Sequence, residues 1–201
     1  MSRYVTSTRK HAGFSFFELM VVVSVGFILA AMSIPRMNNV ISRMKLRSSM
    51  TTASGFFQNL RMLAVKKNTT MKSDHTNLST PPYSLVYWAK ESTDTDPLNT
   101  HDAQVEMEAP IYAWNAPTGV GAPSAIANST LGLLSNPETT DPLFNSRGLP
   151  CKMVSGQCQN AAFIKYYQDT RVNGSMGWAA ISITPAGRIK RWFWNGSTWT
   201  D

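Results

Sequence analysis

Histidine and cysteine are scarce in this chain, three and two among 201 residues, and their scarcity excludes much chemistry. His75 and His101 stand in polar segments expected to be exposed, and neither belongs to a motif that would orient a nucleophile. Two Cys and two scattered His beyond residue 13 are also too few for a convincing zinc site. Phosphate-loop glycine spacing and a His-x-x-x-His pair are both missing. Glu106 and Glu108 share one face of an expected edge strand and read as solvated charge. We therefore assign no catalytic residue, no metal ligand and no cofactor, and expect a protein that is not an enzyme. There is no repeat of roughly 20 to 50 residues and no linker joining two cores, which leaves one globular head.

Acidic residues are missing from residues 1–13, which carry Arg3, Arg9 and Lys10. They are nearly missing from the next stretch too: Glu18 is the only charge from Phe14 to Ile34. A helix over those residues would be about 31 Å long, against a hydrocarbon core of about 30 Å. A secretory signal places its small-residue cleavage site after the apolar run, whereas Gly13 lies before it. Cleavage after Gly13 would keep the apolar segment, make Phe14 the first residue and Glu18 the fifth, and lower the formal charge from +7 to +4 by removing three basic residues. An ionised carboxylate in lipid costs several kcal/mol unless paired. Its natural partner is the new N-terminal amine of a neighbouring copy. A plain single-pass anchor would also explain the hydropathy and the flanking positive charge, but it does not require Gly, an aromatic and Glu at this spacing.

Gly13, Phe14, Glu18, the apolar run and Pro35 together resemble the type IV pilin and pseudopilin family. One departure is His11-Ala12, where the family usually has a basic residue next to the Gly. The resemblance implies cleavage by prepilin peptidase after Gly13, N-methylation of Phe14, assembly through Glu18 and a helix kink at Pro35. It also implies an inner-membrane single-pass protein with a periplasmic head, later incorporated into a pilus or pseudopilus filament. The implied partners are the peptidase, other pilins or pseudopilins, an inner-membrane assembly platform and membrane lipid. Leu60-Arg61-Met62-Leu63-Ala64-Val65-Lys66-Lys67-Asn68 resembles the helix end that precedes the first strand in the GspH/FimT-like branch of minor pilins. Asn145-Ser146-Arg147-Gly148 and Thr184-Pro185-Ala186-Gly187-Arg188 resemble two later turns of that branch.

The expected fold class is α+β: a long N-terminal helix, half membrane-spanning and half amphipathic, packed on an antiparallel β-sheet head. The expected segments are a leader at 1–13, a transmembrane and assembly helix at 14–35, an amphipathic stem at 36–72 and a β-rich head at 73–201. Apolar residues Met37, Val40, Met44, Met50, Ala53, Phe57, Leu60 and Ala64 recur at three- and four-residue steps, predicting a broken helix to about Lys67 with half its surface facing a core. Strands are expected over 83–89, 105–113, 162–167, 178–184 and 188–194, with the last few forming a meander. Residues 116–142 read as a long surface loop. Cys151 and Cys158 lie in a loop-like stretch, where a disulfide would form in an oxidising compartment.

Charge is banded along the chain. Lys90 to Asp141 has one Lys against eight acids, while seven basic residues and two acids follow from Pro142 onward. Such bands suit head-to-tail packing of subunits, and equally suit solvated faces. In the last expected strand, alternation puts Arg188, Lys190, Trp192 and Trp194 on one face and Ile189, Arg191 and Phe193 on the other. Cations beside indoles suit nucleic acid, and Gly187-Arg188-Ile189-Lys190 resembles a Gly-Arg-x-Arg motif of DNA-binding FimT-like pilins, with Lys190 replacing its second Arg. Arg188, Lys190 and Arg191 are thus candidate DNA contacts for uptake in transformation. The competing reading makes Trp192 and Trp194 core residues. Five Asn-x-Ser/Thr triplets are treated as chance.

Overall fold

The computed structural model describes residues 15–78, 84–93, 103–108, 111–114, 137–169 and 177–201, and of positions 32–39 and 114 the backbone alone. Gly13, Phe14, His101, the sequons at Asn128 and Asn173 and most of the expected 116–142 loop lie outside these residues. The chain divides into two compact units, Met1–Val40 and Ile41–Asp201.

Helix α1, Phe16–Lys67, contributes to both units. Ser15 stands at its N-cap, where its carbonyl accepts from the Leu19 N–H at 3.1 Å. Glu18 follows three residues later, which is capping-box spacing and puts a carboxylate at the positive end of the helix dipole. The backbone stays helical through position 35, and a kink of the kind expected at Pro35 is compatible with such continuity. At the other end Asn68 adopts a left-handed conformation (φ 51°), and Thr69 N–H bonds back to Ala64 O at 3.2 Å.

In the first unit, described side chains of α1 are exposed along its whole circumference, including Phe16, Phe17, Val22, Phe27 and Leu29. Among the described residues no helix is long and apolar enough to cross a membrane. The spanning helix expected over 14–35 extends beyond the residues whose side chains are described. Residues 16–31, whose side chains are described, cover only about 24 Å of helix and include Glu18 near their start.

The second unit is a helix packed on two antiparallel sheets. Sheet one contains β1 (Met71–Asn77), β2 (Leu85–Glu91), β3 (Gln104–Glu106), β5 (Leu143–Phe144), β6 (Pro150–Val154) and β7 (Gln157–Asn160), in the order β3-β2-β1-β5-β6-β7. Sheet two contains β4 (Ile111–Trp114), β8 (Phe163–Asp169), β9 (Trp178–Ile183), β10 (Ile189–Trp194) and β11 (Trp199–Thr200), in the order β11-β10-β9-β8-β4. Leu46, Met50, Ala53, Phe57, Leu60 and Ala64 form the buried stripe of α1 and meet Tyr87, Phe144, Phe163, Tyr167 and Ile181 from the sheets. Met44, expected on this stripe, is exposed. The six-residue step from Met44 to Met50 is out of phase with a helical turn, so Leu46 takes the core position.

Two expectations change. The run 105–113 divides into β3 and β4, which belong to different sheets. Pro110 lacks the N–H that a continuous ladder would use. The Cys151 to Cys158 stretch is a β6–β7 hairpin rather than a loop, turned by Ser155 (φ 50°) and Gly156 (φ 79°), a pair of left-handed residues that suits a two-residue hairpin. The Cys151–Cys158 disulfide spans it, with Cα atoms 5.4 Å apart. β9, β10 and β11 form the C-terminal meander.

Candidate functional site

Among the described residues the most exposed apolar surface is the N-terminal part of α1. Phe16 and Phe17 are 77% and 75% exposed, and Leu19, Val22, Phe27, Ile28 and Leu29 are each more than half exposed. Surface of this kind is stable only when covered. Glu18 is the single charge in it and is itself exposed. The helix thus offers an apolar rod with one carboxylate in its first turn, which is chemistry for lateral association rather than for catalysis.

Strand β10 and the residue before it carry the basic candidates. Alternation places Arg188 and Lys190 apart from Arg191, and the three do not converge. Lys190 Nζ pairs with Asp201 at 2.9 Å and lies 4.1 Å from the centroid of Trp192. The Lys190 hydrogen bond, with Arg188 charge nearby, holds the Asp201 carboxyl below its usual value. Arg191 Nη1 instead donates to Thr51 Oγ1 on α1 at 2.7 Å. Arg188 is exposed at the β9–β10 turn. Trp192 is buried, donates from Nε1 to Ser182 Oγ at 2.9 Å and packs with Ile164, Tyr166 and Ala180. It is therefore a core residue, unavailable for stacking on a base. Trp194 is half-buried and meets Trp199 edge to face at 5.4 Å.

Sequence reasoning missed a second polar centre. His75, expected to be exposed, is mostly covered, and its Nδ1 bonds both oxygens of Asp141 at 2.9 and 2.8 Å. Lys165 Nζ, on β8 of the other sheet, reaches Asp141 at 3.0 Å with its side chain only 7% exposed. Burial alone would raise the Asp141 carboxyl, but the His75 hydrogen bond and the Lys165 charge outweigh it and hold the group below its ordinary value. Lys152 and Glu138 pair at 2.6 Å beside it. No linear motif joins His75, Asp141 and Lys165, so only the packing of β1 against the segment before β5 could reveal them. The three groups pair at the wall of an open cavity of about 610 Å³ that Lys72, Thr139 and Lys152 also line, and among the described residues no hydroxyl or thiol is bonded to the His75 ring.

Glu106 and Glu108 do not act together. Glu106 accepts from Ser84 Oγ at 2.6 Å, and Glu108 pairs with Lys45 on α1 at 2.6 Å. Among the described residues no group of three or more His, Cys, Asp or Glu side chains is arranged to hold a metal ion.

The prokaryotic N-terminal methylation motif matches residues 8–34. The chain carries the type IV pilin/pseudopilin signature. That signature is the mark of structural, non-enzymatic proteins that are processed by prepilin peptidase, anchored in a membrane and then incorporated with other pilins into a filament. It covers the exposed rod of α1 and Glu18 and does not extend into the head. No curated protein and no solved structure matches the chain. The α+β architecture, with a helix on antiparallel sheets, is that of a pilin-like fold.

Proposed function

We propose that this chain is a minor pilin or pseudopilin, cut after Gly13, N-methylated at Phe14 and built into or at the tip of a type IV pilus or type II secretion pseudopilus. The carrying observation is the coincidence of the methylation motif with a helical rod whose apolar side chains are exposed on every face and whose only charge is Glu18. Side-by-side copies would cover the rod, and a neighbour's N-terminal amine would neutralise the carboxylate. The head would then stand in the periplasm, with the assembly platform and lipid as partners before incorporation. An oxidising compartment suits the Cys151–Cys158 bridge.

Mass spectrometry of the mature polypeptide tests the proposal. A chain beginning with N-methylated Phe14 is expected when the peptidase is present, and any other start site overturns it. A DNA-uptake role is the second reading. The exposure of Arg188 and Arg191 favours it, while the burial of Trp192 and the divergence of the three cations count against it. Titrating the mature protein with duplex DNA at rising salt decides this, since phosphate contacts weaken steeply with salt.

A further inference from the structure

The turn between β10 and β11, Asn195-Gly196-Ser197-Thr198, is exposed at every position and places an Asn directly before a Gly. It is closed by the Asn195 N–H, which donates to Thr198 O at 3.1 Å, and by the Asn195 side chain. Asn195 Oδ1 accepts three hydrogen bonds, from Ser197 N–H at 2.9 Å, Ser197 Oγ at 3.0 Å and Thr198 N–H at 2.8 Å. Its Nδ2 donates to Thr198 Oγ1 at 3.1 Å. The Gly196 N–H makes no hydrogen bond among the described residues. With φ 103°, Gly196 holds a conformation that residues with a side chain rarely adopt. An Asx turn needs only one bond from the side-chain oxygen to mimic a backbone turn. Here three donors converge on that oxygen, the arrangement that stabilises an oxyanion when a nucleophile adds to the attached carbon. The nucleophile is supplied by the next residue, because a bond from Gly196 N to Asn195 Cγ closes a five-membered ring.

We propose that Asn195 is a self-modification site, at which the folded turn converts the side-chain amide into a carboxylate through a cyclic imide. Gly196 N gives its proton to hydroxide and attacks Asn195 Cγ, and the negative charge that develops on Oδ1 is met by the three donors. The Cγ–Nδ2 bond then breaks, and Nδ2 takes a proton from water and leaves as ammonia. A second water opens the ring at either carbonyl, giving aspartate or isoaspartate at position 195. Water is the only co-reactant, and nothing is oxidised or reduced. The two products treat the hairpin differently. Aspartate keeps the turn, since a carboxylate oxygen accepts the same bonds from Ser197 and Thr198. Isoaspartate adds a methylene to the main chain between the cross-strand partners Trp194 and Trp199, and so disturbs the register that sets their edge-to-face contact. The inference uses only head residues and stands independently of the pilin assignment.

The test incubates the full chain in maltoside micelles at mildly alkaline pH and digests samples with trypsin. Cleavage after Arg191 releases residues 192–201, in which Asn195 is the only side-chain amide. Mass spectrometry follows replacement of NH₂ by OH in that peptide, and electron-transfer fragmentation separates aspartate from isoaspartate. Product is expected to accumulate in the folded wild type. S197A, which removes one of the three donors, should slow its formation at least about threefold, and S197T, which keeps the hydroxyl, should restore the rate. T198V removes the acceptor of Nδ2, should also slow the reaction, and serves if S197A does not fold. In urea, where the turn is lost, wild type and S197A should react at one rate. No product at position 195 in the folded chain, equal rates for folded wild type and S197A, or the same rate difference in urea as in the folded chain overturns the proposal.

Discussion

Arg61, on the outer part of α1, donates from Nη1 to the carbonyl of Gly187 at 3.2 Å across 126 positions of sequence. The same side chain lies against Gly148. A Cβ on Gly187 would come within 3.1 Å of Arg61 Cζ, and one on Gly148 within 3.1 Å of Arg61 Cγ and Val65 Cγ2. Both glycines have positive φ, 81° and 72°. The three short segments that resemble the GspH/FimT-like branch, around Arg61, Gly148 and Gly187, are thus one contact in space: a guanidinium bracketed by two turns that leave it room.

Gly187→Ala is expected to destabilise the head by about 2 kcal/mol, combining left-handed strain of about 1–2 kcal/mol with displacement of Arg61. Gly156→Ala is the control, because Gly156 has φ 79° but no atom near its missing Cβ. It should show the strain alone. Denaturant unfolding followed by tryptophan emission measures both. In an Arg61→Met background the two glycine substitutions should cost about the same, since the steric part of the Gly187 penalty has been removed.

The Asp141 centre predicts acid sensitivity. Burial pushes this carboxyl up, but the His75 hydrogen bond and Lys165 bring it below its ordinary value near pH 3.9. A carboxyl with a lowered folded value contributes stability above its unfolded value and loses it as pH falls through the folded one. The contribution is therefore fully present at neutral pH and disappears below about pH 4. Asp141→Asn should flatten that part of the stability profile. At neutral pH it should also cost about 3 kcal/mol, because the buried Lys165 side chain loses its negative counter-charge and keeps only neutral oxygens, such as the Thr139 carbonyl 3.2 Å away, to meet it.

The hydroxyls of Tyr87 and Tyr167 meet at 3.0 Å between the two sheets, fully buried. Burial first, and then the neighbouring tyrosine and the Asp141 charge, raise the Tyr87 phenol well above its usual value near 10. Burial likewise raises Tyr167, against an opposing contribution from its hydrogen bond to Tyr87. For acids with raised folded values, stability is present below the unfolded value and lost as pH rises beyond it. Unfolding should accordingly become easier above about pH 10. Tyr87→Phe is expected to cost about 1–2 kcal/mol at pH 7 by leaving the Tyr167 hydroxyl unpaired, and to reduce the alkaline slope. Stability measured at pH 7 and pH 11 checks both effects.

Local periodicity made the helical core legible: Met50, Ala53, Phe57, Leu60 and Ala64 keep one phase and are all buried. Three of the expected strands lie close to β8, β9 and β10 because turn residues bound them. The sheets' pairing was not legible. β5 is two residues long, and its partners β1 and β6 lie far apart in sequence, so no local pattern marks it. The hairpin at Ser155-Gly156 escaped because β7, Gln-Cys-Gln-Asn, is polar and has no alternation to read. His75 escaped for a related reason, since its partner is Asp141, 66 positions away, which in turn meets Lys165. At the N-terminus the opposite holds. There the chemistry is contiguous in sequence, and the residues that carry the pilin signature could be read without any tertiary structure.

Glu18 has two roles to separate, because it stands at the third position after the Ser15 N-cap as well as alone in an apolar surface. A capping carboxylate acts within its own helix and is worth about 1 kcal/mol, and an amide of the same shape can take its place. Neutralisation of a neighbour's amine requires the negative charge itself. Glu18→Gln and Glu18→Ala therefore give different patterns under the two roles. If capping were the whole function, Gln would assemble as well as Glu and only Ala would fail. Pairing between copies instead predicts that both variants remain membrane-bound and are cleaved, yet are incorporated into filaments at a small fraction of the normal level. Glu18→Asp, which keeps the charge but shortens its reach, should recover part of the incorporation. Immunoblotting of sheared filaments against the membrane fraction reads all three variants, and normal incorporation of Glu18→Gln would remove the carboxylate from the assembly mechanism.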